Sequence, residues 1–131
     1  MDRKDIFKKA IKDLVIPYIK SAGFKGAYPS FKMKLDEKIY FINFQFGRDY
    51  LSGKVIVQLS TVELSKLSAW AKTLEIEKLN YGHAQVWHRL GSPKKGVDGI
   101  WFDYENGDQQ EISKQILELL KVELPEYLSK N

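Results

Sequence analysis

The chain of 131 residues carries 21 Lys and Arg against 17 Asp and Glu, a formal charge of +4, with 44% hydrophobic and 29% charged residues. These proportions exclude disorder and a coiled coil and predict one packed domain over residues 1–131, able to bury roughly two thirds of its unfolded surface. The absence of cysteine excludes disulfides, thiolate nucleophiles and sulfur-ligated zinc, and it fits a reducing cytoplasm.

Lys4, Lys8, Lys9 and Lys12 interrupt the apolar residues at the amino end, and no later segment reaches the roughly 20 apolar residues that cross a bilayer. A soluble, cytoplasmic protein with neither signal peptide nor membrane partner is therefore expected. Charge is uneven: +6 over residues 1–34, +1 over 35–90 and −3 over 91–131. Such a bias can steer an acidic partner, or be no more than a solvated helix face.

Asp2 and Asp5 form a helix start, and Ile6, Ala10, Ile11, Leu14, Val15, Tyr18 and Ile19 follow at helical spacing. A first helix is predicted over 3–22, kinked or ended early by Pro17 and stopped by Gly23. From Tyr28 the period becomes two, giving a strand to Leu35, a tight turn at Asp36 and Glu37, and further strands over 38–46 and 54–62. Leu64, Leu67, Trp70, Ala71 and Leu74 return to helical spacing, so a second helix is predicted over 63–74. Strands over 83–90 and 99–104 flank a loop over 91–98 rich in Gly, Pro and Lys. Asp108 and Glu111 then cap a helix carrying Ile112, Ile116, Leu119 and Leu120, with Pro125 opening a final short turn.

The order α-β-β-β-α-β-β-α, built from hairpins, predicts an α+β fold with an antiparallel sheet of about five strands and helices mainly on one face. Alternation along the strands assigns Phe31, Met33, Leu35, Tyr40, Ile42, Phe44, Phe46, Val55, Val57, Leu59, Ala84, Val86, Leu90, Ile100, Phe102 and Tyr104 to the core. The opposite set is Lys32, Lys34, Phe41, Asn43, Gln45, Ile56, Gln58, Gln85, Trp87, Arg89, Trp101 and Asp103. That mixture of aromatic and hydrogen-bonding groups marks a candidate recognition face, because Trp and Arg bring large area and several donors. The competing reading is a cover over this face that makes Trp87 and Trp101 core.

The chemistry-bearing residues are sparse. His83 and His88 are an odd number apart on one predicted strand and face opposite ways, so a shared metal is not expected; His88 belongs on the core side as a hydrogen-bonded structural group. No nucleophile elbow occurs. Asp98 and Asp103 flank the last strand, where turn and strand-surface roles explain them better than an acid and base pair. No cofactor is expected.

The first five predicted elements follow the order of double-stranded RNA-binding domains, but Val62-Glu63-Leu64-Ser65-Lys66 lacks the lysines that contact phosphate there. Gly23-Phe24-Lys25-Gly26 is similar to the loop of KH domains, yet Pro29 and a strand follow where that fold needs a helix.

Gly23-Phe24-Lys25, Ile42-Asn43-Phe44-Gln45, Arg89-Leu90-Gly91, Asp98 with Trp101, and Leu124-Pro125 together cover most of the chain. On these motifs it resembles a family of small bacterial proteins known only as a domain of unknown function, a resemblance that implies no activity. It departs from that pattern at Ile100-Trp101, where paired tryptophans are expected, and at Gln58-Leu59-Ser60, where a glycine is expected.

The resulting expectation is a non-enzymatic module that binds a protein partner through Asn43, Gln45, Gln58, Gln85, Trp87, Arg89, Trp101 and Asp103. The alternative is single-stranded nucleic-acid binding by the same face with Lys32 and Lys34; a small hydrolase with an unrecognised site ranks third.

Overall fold

In the structure, a computed structural model that describes residues 2–92 and 99–131, Asp2 Oδ1 accepts the Asp5 backbone N–H at 2.8 Å and caps α1 (Arg3–Leu14). The predicted long helix divides at Val15, and α2 (Ile16–Ser21) restarts with Pro17 in its first turn, where a missing N–H breaks no bond. Gly23 follows with φ +104°, and its N–H donates to the Lys20 carbonyl while Phe24 donates to that of Ile19. A left-handed residue thus closes the helix, as the glycine predicts.

Among the described residues six strands form one antiparallel sheet: β1 (Lys25–Ala27), β2 (Ser30–Leu35), β3 (Lys38–Phe46), β4 (Lys54–Glu63), β5 (Val86–Arg89) and β6 (Phe102–Asp103). The order is β1-β2-β3-β4-β5, and β6 pairs β4 beside β5. The fold is therefore α+β. Between β2 and β3 the chain reverses through Asp36 and Glu37, with Asp36 at φ +54°.

Four sequence expectations need correction. The predicted second helix over 63–74 does not form; Leu64–Lys66, Ala71–Thr73, Ile76–Lys78 and Tyr81–His83 are separate 3₁₀ turns. Apolar spacing of three suits a 3₁₀ turn as well as an α-helix, and here it serves to dock leucines rather than to build a long amphipathic stripe. The strand predicted over 83–90 shortens to Val86–Arg89, because Asn80 and His83 cap a turn in front of it. The strand predicted over 99–104 pairs only at Phe102 and Asp103. Finally, α3 (Gln109–Lys130) runs through Pro125 without a break. Buried Leu124 and Tyr127 extend the apolar stripe past the proline, so packing outweighs a penalty of about 3 kcal/mol.

α1, α2 and α3 cover one face of the sheet. Phe7, Ile11, Val15 and Ile19 from the first two helices, and Ile116, Leu120, Leu124 and Tyr127 from the third, join Phe31, Ile42, Val57, Leu59, Leu90 and Phe102 in the main core. Phe7 stacks on Tyr104 with ring centroids 5.3 Å apart. Each fully buried side chain of this size contributes about 1.5–3 kcal/mol. Leu35 and Val86, assigned to the core by alternation, are exposed near strand ends, and Ala84 packs on the opposite face.

Candidate functional site

The second face of the sheet is divided. At one end Ile39, Phe41 and Val62 form a small apolar cluster with Leu79, against which Leu64, Leu67, Leu74 and Ala84 also pack. The segment over 64–84 is therefore a partial lid on the face that alternation left open. Lys32 Nζ donates to the Glu77 carbonyl at 3.4 Å, helping to hold this cover to β2.

Beyond the apolar cluster, strand pairing places Ser30 opposite Asn43, Asn43 opposite Gln58, and Gln58 opposite Arg89. These four polar side chains make one row across β2, β3, β4 and β5. Asn43 Nδ2 donates to Ser30 Oγ at 2.8 Å, and Arg89 Nε donates to Gln58 Oε1 at 3.4 Å. Asn43 is only 2% exposed, yet among the described residues its Oδ1 accepts no hydrogen bond. Ser60 Oγ, one row nearer the apolar cluster, is likewise buried and unpartnered. Buried polar groups are nearly always satisfied, so two orphans on one face single it out.

The structure spreads the other predicted site residues unequally. Trp87, opposite Ser60, is 61% exposed, whereas Trp101 is half-buried. Asn43 and Gln58 are buried, and Gln45 and Arg89 are half-buried. Gln85 is exposed, but its amide is occupied: Oε1 accepts the Glu63 N–H at 2.8 Å and Nε2 donates to the Glu63 carbonyl at 3.2 Å. It extends the β4 pairing with a side chain. Asp103 accepts the Asn106 N–H at 3.0 Å and its Nδ2–H at 3.2 Å. Those hydrogen bonds, the backbone one foremost, hold its carboxyl below the usual range and tie it to a turn. Asp98 lies outside the described residues, so the pair with Asp103 has no geometry to weigh.

A groove with a volume of about 540 Å³ opens beside the polar row, lined by Pro29, Ser30, Asn43, Phe44, Gln45, Phe46, Gly47, Arg48 and Tyr81. Arg48 and Tyr81 escape sequence reasoning. The first lies in the loop after the predicted 38–46 strand and the second just ahead of the predicted 83–90 strand, and the 3₁₀ turn at Tyr81–His83 places Tyr81 beside residues of β3 in the groove lining.

His88 Nε2 is 2.7 Å from Glu123 Oε1, and the same carboxylate accepts the Gly91 N–H at 3.0 Å. Glu123 thus ties α3 to β5 and to the start of the following loop. His83 Nδ1 accepts the Asn80 N–H at 3.1 Å, a structural cap. Among the described residues no group of three or more His, Asp or Glu is placed to hold a metal, and no helix is long and apolar enough to cross a membrane.

Residues 15–130 match the profile of a family described as "Domain of unknown function (DUF4304)". Neither a curated protein nor a solved structure matches the chain.

Proposed function

We propose, for a chain that belongs to the DUF4304 family, that it is a non-enzymatic module that recognises a protein partner with the side of the sheet around Trp87. The observation that carries this reading is the exposure of Trp87, 61% of which stays in water in the middle of β5. A tryptophan that its own core does not use is a large apolar area at low entropic cost, the usual anchor of an interface. Half-buried Arg89, two residues along β5 and on the same face, extends the patch, and half-buried Trp101 is a further candidate for it. The absence of cysteine fits work in a bacterial cytoplasm.

Single-stranded nucleic-acid binding has less support. Lys32 donates to the Glu77 carbonyl and Lys34 to that of Asp36, so both lysines assigned to that role serve the fold.

The test compares Trp87→Ala with the unchanged protein in affinity capture from a native lysate, with circular dichroism to verify folding. A specific partner held by the parent and lost by a folded variant supports the reading. Equal capture by both proteins, or capture by neither, defeats it.

A further inference from the structure

We propose that the groove beside the polar row is a small-molecule site for a planar, N–H-bearing heterocycle joined to an anionic group, the chemistry of a nucleoside monophosphate. This goes beyond protein recognition and does not depend on it.

The groove is open, but its volume of about 540 Å³ falls within the roughly 300–1,000 Å³ of clefts that take one small molecule. Its lining combines three chemistries. Gln45 brings a half-buried side-chain amide, a group that pairs in two-point fashion with the edge of a base, and Asn43 adds one buried acceptor. Tyr81, 43% exposed, and Pro29 bring flat apolar surface on which a ring can stack. Arg48 brings an exposed guanidinium that makes no ion pair among the described residues, a fork matched to phosphate.

The unpartnered Asn43 Oδ1 argues that the lining is incomplete on its own. Ser30 Oγ takes the amide nitrogen, and nothing in the described protein donates to the oxygen. The oxygen is itself sealed from solvent, so a turn of the amide about its soft terminal torsion is what would bring it to an N–H donor in the groove. A ring N–H or exocyclic amino group supplies that donor while the phosphate reaches Arg48.

Titration of ¹⁵N-labelled protein with AMP, GMP, CMP and UMP tests the assignment, with inorganic phosphate as the comparison. At least one nucleotide should give saturable shifts at Ser30, Gln45, Arg48 and Tyr81, with affinity reduced tenfold or more in Arg48→Ala and in Tyr81→Ala. Both side chains are at the surface, so each variant should keep the parent spectrum elsewhere. Absence of shifts at those residues up to about 10 mM of every nucleotide would overturn the proposal. Equal response to inorganic phosphate would overturn it too, since no ring would then be recognised.

Discussion

Thr61 Oγ1 and Tyr127 Oη meet at 2.6 Å in the interior, joining the middle of the sheet to the last turns of the long helix. Both residues are buried, and the Tyr127 hydroxyl also lies 3.4 Å from the Val86 carbonyl. Burial pushes the Tyr127 phenol up to about 12, against the smaller opposing effect of Thr61. The folded protein therefore holds this proton where an unfolded chain releases it, near pH 10. The stability it contributes is whole below about pH 10 and is lost as pH rises toward about 12. Tyr127→Phe should cost about 1–3 kcal/mol at neutral pH by orphaning the Thr61 hydroxyl, and should flatten part of the alkaline decline. Urea denaturation at a series of pH values measures both.

Trp87 and Leu120 should respond oppositely to truncation. Trp87→Ala removes a side chain that water already reaches, so stability should change by less than about 1 kcal/mol. Leu120 is fully buried between helix and sheet, and Leu120→Ala should cost about 2–5 kcal/mol. Thermal denaturation of the two variants checks the contrast; a large loss in Trp87→Ala would place that indole in the core.

Replacing Asn43 by leucine should leave stability unchanged or raise it by about 1 kcal/mol. The substitution deletes an unpaired buried oxygen, and the Ser30 hydroxyl it releases is on an exposed residue that water can satisfy. Chemical denaturation reads the outcome. A gain in stability would mean that the amide is kept for something other than holding the fold.

Glu123→Ala should free two donors at once, His88 Nε2 and the Gly91 N–H. The expected loss is about 1–3 kcal/mol, and the Gly91 amide should exchange its hydrogen faster than in the parent. Exchange followed by NMR at that amide separates local loosening from global unfolding.

Much of the sheet and the starts of α1 and α3 can be read from residue order because each obeys a single period, whereas the passage of α3 through Pro125 cannot. Strand β3 has the predicted bounds, since Ile39 to Phe46 is an unbroken run of β-forming types between a turn and a glycine. The N-cap of α3 is equally plain, Asp108 Oδ1 accepting the Glu111 N–H at 3.0 Å. The segment over 64–84 defeats this method because its leucines are spaced for docking onto Ile39, Phe41 and Val62 and not for a continuous helix. Alternation places Asn43, Gln58 and Arg89 on one side of the sheet. That they stand in line depends on how β3, β4 and β5 are paired, which no single strand encodes. The groove is harder still, because it joins Arg48 and Tyr81 from segments with no regular period.

The row of Ser30, Asn43, Gln58 and Arg89 also protects the chain against a particular misfolding error. A slip of β4 along β3 by two residues would keep every side chain on its proper face, so hydrophobic alternation offers no defence against it. Slipped in one direction, Gln58 would face Phe41 beneath the leucine cover; slipped in the other, it would face Gln45 and Asn43 would face Ser60. The first error traps an amide against the apolar cluster, whereas the second leaves polar groups facing polar groups. A polar stripe beside an apolar cluster thus acts as a ratchet tooth, opposing a slip in one direction.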